Sequence, residues 1–161
     1  MKGTPAPTRA TDALLADHKM IRKLLTDFRL DNPRFTEILK TTHRIVVGHA
    51  WFEDAIFLPA VEKDRRLARR FTQEIYEEHQ DLDSLLMLLR ETPRTDRETL
   101  EDYLTQFATI METHIRKEED ALFPIAARIL DDEGQNRLGE EMRSRVMESR
   151  AAGDARFTLK P

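Results

Sequence analysis

A chain of 161 residues, 40% hydrophobic and 35% charged with only 5 Gly and 7 Pro, is long enough for one domain with a buried core, and its balance suits a helical domain with a solvated exterior. The formal net charge of -4 and the lack of a long basic stripe argue against nucleic acid as a partner. With no cysteine there is no disulfide framework, thiolate metal site or thiol catalysis, and no apolar run approaches the roughly 18 residues of a membrane span. Met1 to Pro7 lacks the apolar core of a signal peptide, so a cytoplasmic protein without a membrane partner is expected.

Residues 1–9 are Pro-rich and read as a flexible lead-in. Thr11-Asp12 is a candidate N-cap, and behind it Leu14, His18, Ile21, Leu25 and Phe28 recur at spacings of 4, 3, 4 and 3, the stripe of an amphipathic helix. Asn32-Pro33 reads as a stop followed by a new cap with proline in the first turn. A second helix carries Phe35, Ile38, Thr42, Val46, His49, Glu53, Ile56 and Ala60 on one face, and Pro59 is expected to kink or end its last turns. After the charged turn from Glu62 to Arg66, a third helix shows Ile75, His79, Leu82, Leu86 and Leu89. Thr92 to Asp96 breaks it and caps a fourth, with Leu100, Leu104, Phe107, Met111, His114, Glu118 and Ala121. Asp131-Asp132-Glu133 opens a short fifth helix through Leu138, Met142 and Val146, and residues 151–161 read as a loose tail. No strand pattern competes. These segments predict an all-α, antiparallel up-down-up-down four-helix bundle over residues 10–150 with a short additional C-terminal helix.

Every stripe is interrupted near its middle by a polar residue in its own register: His18 in the first, His49 and Glu53 in the second, His79 in the third, His114 and Glu118 in the fourth. Burying such groups costs on the order of several kcal/mol unless they are paired or metal-bound. At about 1.5 Å of rise per residue, the four histidines lie about 18 to 28 Å from the turns joining their hairpins, which is consistent with one layer. His79 follows His18 by 61 residues and His114 follows His49 by 65. The chain thus reads as two helix hairpins, each giving a lone His and a His-x-x-x-Glu. In both pairs the i, i+4 spacing aims imidazole and carboxylate at one point. Phe57-Leu58-Pro59 and Leu122-Phe123-Pro124 then follow at the same offset.

Four imidazoles and two carboxylates suit a pair of first-row metals in a bundle core, with the imidazoles terminal and Glu53 and Glu118 bridging. Without thiolate the set points to two iron ions, with zinc or manganese as substitutes. Ferritin-like iron oxidation is disfavoured, because that chemistry uses Glu-x-x-His pairs and lone glutamates. His43, about 240° around the helix from His49, reads as solvated or structural. Asp83, one turn after His79, is a candidate to accept from its imidazole or a surface carboxylate. Trp51 falls on the outer side of its helix, and Arg65, Arg66, Arg69 and Arg70 read as a solvated run. Ile21, Ile56, Ile75, Phe107, Met111 and Leu122 are candidates for an apolar wall around the metals.

The ordered combination of Asp17-His18, His49-x-x-x-Glu53 with Phe57-Leu58-Pro59, Glu78-His79-Gln80-Asp81-Leu82, and His114-x-x-x-Glu118-Glu119 with Leu122-Phe123-Pro124 resembles the hemerythrin-like, HHE cation-binding domains. It covers roughly residues 10 to 150. The resemblance implies a four-helix bundle with a non-haem di-iron centre, in a family whose members bind O2 or NO, sense oxygen or iron, or handle peroxide. Oxygen-carrying hemerythrins use a fifth histidine one turn before the third-helix ligand, where this chain has Ile75, so the four-histidine set is more similar to intracellular HHE proteins. Those hemerythrins also use an aspartate five residues after a histidine. Here the repeated i+4 spacing favours Glu53 and Glu118, and Asp54 and Glu119 read as solvated. The di-iron proteins of iron–sulfur repair add an N-terminal cysteine segment that is not expected here. The first expectation is a metal-binding protein that binds or senses O2, NO or iron state. The alternative is a di-iron enzyme reducing peroxide or nitric oxide.

Overall fold

The structure is a computed structural model that describes residues 8–65, 67 and 69–152, the side chains of 146–152 excepted. Residues 1–7 and 153–161, most of the expected lead-in and tail, lie outside the described residues, as do Arg66 and the Val146 side chain. The first stripe forms α1, Ala10–Asp27. Its N-cap residue is Arg9, not Thr11 or Asp12, and Arg9 makes no side-chain cap. The Thr11 N–H instead donates to Gln135 Oε1 at 3.2 Å, from a side chain 124 residues away. The second stripe forms α2, Phe35–Phe52. Asn32 Oδ1 accepts from the Arg34 N–H at 2.9 Å, so Asn32 and Pro33 shape the turn ahead of α2 rather than its first turn. The third stripe is α3, Arg69–Glu91, and the fourth is α4, Arg97–Lys117, with Asp96 accepting from the Thr99 N–H. The C-terminal helix α5, Asp132–Ala152, runs 21 residues, longer than the short helix expected through Leu138, Met142 and Val146.

Neither Pro59 nor Pro124 ends its helix. Ahead of Pro59, α2 widens into one π turn, Glu53–Phe57, closed by the Leu58 N–H on the Glu53 carbonyl, and resumes as Leu58–Val61. Ahead of Pro124, α4 widens over Glu118–Leu122, closed by the Phe123 N–H on the Glu118 carbonyl, and resumes as Phe123–Ile129. Proline has no N–H for the carbonyl four residues back, and its ring crowds that carbonyl; a turn with one extra residue relieves both problems without stopping the helix. The distortion expected at Pro59 is therefore a widened turn preceding it.

α1 packs on α2, α2 on α3 and α3 on α4, and α1 against α4 closes the ring; α5 lies along α1. Among the described residues the protein is an all-α, antiparallel up-down-up-down four-helix bundle with an additional C-terminal helix. A Cβ at Gly139 of α5 would sit 1.8 Å from the Thr8 carbonyl oxygen, so the close approach of the chain ahead of α1 requires glycine there. The core splits into two apolar clusters. One holds Ile21, Val46, Leu82, Met111 and Ile115, and the other holds Leu14, Phe52, Ile75 and Leu122. On each helix the interrupting polar residue falls between a member of one cluster and a member of the other. The six polar side chains therefore form one layer across the bundle. None of the described helices is long and apolar enough to cross a membrane.

Candidate metal centre

All six interrupting residues, His18, His49, Glu53, His79, His114 and Glu118, are buried, none more than 6% exposed. His49, Glu53, His114 and Glu118 present ligand-type atoms that all lie within 4.8 Å of one another. His18 and His79 complete the ring through the carboxylates: His18 Nε2 is 3.0 Å from Glu118 Oε2, and His79 Nε2 is 3.2 Å from Glu53 Oε2. His49 Nε2 is 3.4 Å from Glu53 Oε2, and His114 Nε2 is 3.1 Å from Glu118 Oε1. The two hairpins contribute paired rings, His18 with His49 at 4.9 Å and His79 with His114 at 4.8 Å between centroids. All four Nε2 atoms thus face two central carboxylates.

The opposite ring nitrogens are tied down as regularly. His18 Nδ1 donates to Glu119 at 2.9 Å, His49 Nδ1 to Asp17 at 3.3 Å, His79 Nδ1 to Asp54 at 2.6 Å, and His114 Nδ1 to Glu78 at 2.8 Å. An ionised carboxylate can only accept, so each Nδ1 carries the proton, and in the neutral imidazole the lone pair is on Nε2, aimed inward. Such carboxylate–histidine pairs fix the tautomer and ring orientation of metal-binding imidazoles. Two of the outer carboxylates are backed by cations. Arg22 Nη1 lies 2.8 Å from Glu119 Oε1, and Lys117 Nζ donates to Glu78 Oε1.

Asp54 and Glu119 are therefore not simply solvated, as their i+5 spacing suggested. Each reaches the lone histidine of the other hairpin, and the π turns beginning at Glu53 and Glu118 put two consecutive carboxylates to different uses. Asp17 and Glu78 were singled out only as parts of motifs; each directly precedes a lone histidine but serves the other histidine of its hairpin, so that adjacency did not point to the partner. Asp83 accepts from His43 Nε2 at 3.2 Å rather than from His79, and His43 is a buried structural histidine. The six residues of the expected apolar wall are all buried, with Ile75 fully so.

The electrostatics follow from packing acceptors around one point. Burial lowers the affinity of His49 and His79 for a proton, but Glu53 and Asp17 around His49, and Asp54 and Glu53 around His79, outweigh it. His49 is held well above its ordinary value, and His79 is raised to about 9. His114 is raised too, because Glu118 and Glu78 outweigh burial. Burial also pushes Glu118 upward, yet His114, His18 and His49 hold it well below the usual carboxylate range. Both Glu53 oxygens, Glu118 Oε1 and His79 Nε2 are buried without a hydrogen-bond partner. Buried polar atoms left in this state are costly. A divalent cation fits such a set of nitrogen and oxygen donors, and first-row metals prefer it.

Comparison with known proteins agrees with this geometry. The Hemerythrin HHE cation binding domain family matches residues 9–126. A DNA nickase of Nostoc sp. is 24% identical over 135 residues, which make up 83% of this chain but 38% of that protein's length. The crystal structure of a hemerythrin HHE cation-binding domain-containing protein from Mycobacterium kansasii superposes with a TM-score of 0.75 at 22% identity, covering 90% of this chain and 89% of that one, a likeness of fold. With the match spanning the four bundle helices and their six convergent side chains, the chain belongs to the hemerythrin HHE cation-binding domain family.

Proposed function

We propose that this protein holds a non-haem di-iron centre through His18, His49, Glu53, His79, His114 and Glu118, and that it binds or senses O2 or NO. The observation that carries the reading is the double shell: four imidazoles locked from outside by Glu119, Asp17, Asp54 and Glu78, around two buried carboxylates of which Glu53 Oε1, Glu53 Oε2 and Glu118 Oε1 accept no hydrogen bond. The four imidazoles and the carboxylates of Glu53 and Glu118 would together hold the two ions. When bound, the iron pair supplies a redox-active centre that accepts a diatomic ligand. The chain's own part is to orient the imidazoles, to compensate charge with the two buried carboxylates, and to keep bulk water out with the apolar clusters on either side. Ile75 stands fully buried where oxygen carriers have a fifth histidine, which limits the protein nitrogen donors to four. A cytoplasmic location suits the cysteine-free chain. The name of the Nostoc relative does not transfer, since this chain spans 38% of that protein and has a net charge of -4 without a basic stripe.

The test is to load the purified chain with iron, quantify metal per chain, and record visible spectra before and after O2, NO and peroxide. About two irons per chain with a reversible change on O2 or NO supports the proposal. Sustained turnover of peroxide or NO would instead make it an enzyme. Failure to retain metal, with no difference between the native chain and a His79→Ala, His114→Ala variant, removes the metal centre.

A further inference from the structure

We infer that a cleft between α2 and α3 beside His79 is the route by which a small neutral ligand reaches the centre, and that its mouth turns small anions away. The inference rests on the reading of the centre as one that binds O2 or NO. The central side chains are at most 6% exposed, so a ligand must pass between helices. The seams are not equally closed. Arg22 on Glu119 ties α1 to α4, and Lys117 on Glu78 ties α4 to α3. Asp17, on the α1–α2 seam, and Asp54, on the α2–α3 seam, are held only by the imidazoles of His49 and His79, with no arginine or lysine latch among the described residues.

Of these two unlatched seams, the one at Asp54 carries a cleft of about 220 Å3. Val46, Val47, Ala50 and Trp51 of α2 line it on one side, and His79, Gln80 and Asp83 of α3 on the other. The Asp54 carboxylate also lines it, with its oxygen 2.6 Å from His79 Nδ1. The cleft therefore touches an imidazole of the centre directly. The other described clefts do not: one lies beside Phe28, Leu30 and Arg97, and the other beside Lys63, Leu130 and Arg137.

Its chemistry selects by charge. The apolar α2 side, Val46, Val47, Ala50 and Trp51, offers a charged solute nothing for the water it gives up. At the opening the Asp83 carboxylate, its side chain 56% exposed, adds negative charge to the Asp54–His79 pair, and an excess of one sign at a cleft mouth repels like-charged solutes over several ångströms. A neutral diatomic meets neither barrier, and the cleft has several times the roughly 30 Å3 that one water occupies. Asp54 thus has a second use beyond orienting His79: together with Asp83 it filters what reaches that imidazole.

Two measurements test the route. In the metal-free full chain, Trp51 is the single tryptophan and lines the cleft. Its fluorescence is expected to be quenched by acrylamide far better than by iodide at constant ionic strength, and Asp83→Asn to restore part of the iodide quenching. In the iron-loaded chain, Ala50→Phe and Val47→Phe fill the cleft. Each is expected to slow NO association and NO dissociation together by about tenfold while leaving the equilibrium constant nearly unchanged, because a route alters both rates equally. Ala108→Phe, in the cleft beside Phe28, should leave both rates alone. NO rates unmoved by both filling variants, or iodide quenching as effective as acrylamide quenching, overturn the inference. A chain that takes up no iron, or whose spectrum ignores NO, removes the reading of the centre instead, and the Trp51 measurement still decides the filter.

Discussion

Each central imidazole is held between two carboxylates, one inside the layer that shares its Nε2 and one outside that accepts from its Nδ1. The outer partner prevents the ring from turning and keeps the inward nitrogen free of a proton in the neutral form, so the affinity of the proposed centre should depend on residues outside its donor set. Asp54→Ala is expected to weaken metal binding about 10–100-fold, with Asp54→Asn intermediate because its amide oxygen still accepts from His79. Chelator competition measures this, and unchanged affinity in both variants would reduce Asp54 to an ordinary surface carboxylate. The six inner residues were legible in the sequence because each breaks an apolar stripe at the stripe's own spacing. The outer four were not, because their partners sit on other helices. Asp17 serves His49 rather than its neighbour His18, and Glu78 serves His114 rather than His79. Helical spacing within one segment says nothing about such exchanges.

At the scale of elements, the four stripes and their order followed from period alone, while the departures come from contacts between distant segments and from backbone geometry. The π turns at Glu53–Phe57 and Glu118–Leu122 were visible only as two prolines six residues after the glutamates, a signal that equally suits a helix end. The start of α1 is a clearer case of tertiary control. Its first-turn N–H at Thr11 is satisfied by Gln135 of α5, and Gln135 is fully buried, so no local cap was needed. Removing that acceptor leaves the Thr11 N–H without its partner. Gln135→Ala is therefore expected to cost about 1–2 kcal/mol, lowering the thermal midpoint by about 2–8 °C for a chain of this size. Calorimetry or a CD melt reads the shift. An unchanged midpoint would mean that water serves the helix start equally well and that α5 is not its cap.

For the whole molecule, a polar layer between two apolar clusters makes stability depend on what neutralises that layer, and in the proposed centre protons and metal would compete for the same nitrogens. In the metal-free chain the charge is balanced by protons. His79, against burial, is raised by Asp54 and Glu53 from 6.5 to about 9. A group whose pKa is raised on folding stabilises fully below its unfolded value and loses that contribution as pH climbs through its folded one. The metal-free protein should therefore lose stability between about pH 6.5 and about pH 9, and His49 and His114, raised in the same direction, add to the loss. Glu118 and Glu53 are depressed on folding despite burial, by His114 and His49 respectively. Their contribution is present above the ordinary carboxylate value of 4.5 and is lost as pH falls below it. A metal ion at the proposed centre would reverse the upper slope. It would bind only an imidazole that has given up its inner proton, so uptake should release protons and affinity should climb with pH over the same window. At a free metal concentration a thousand times Kd, binding adds about 4 kcal/mol to stability. Denaturant unfolding at pH 6.5, 7.5 and 9, with iron or with chelator, should thus give two curves that diverge as pH rises. Curves that run parallel across that range would mean the metal is held by groups other than these imidazoles.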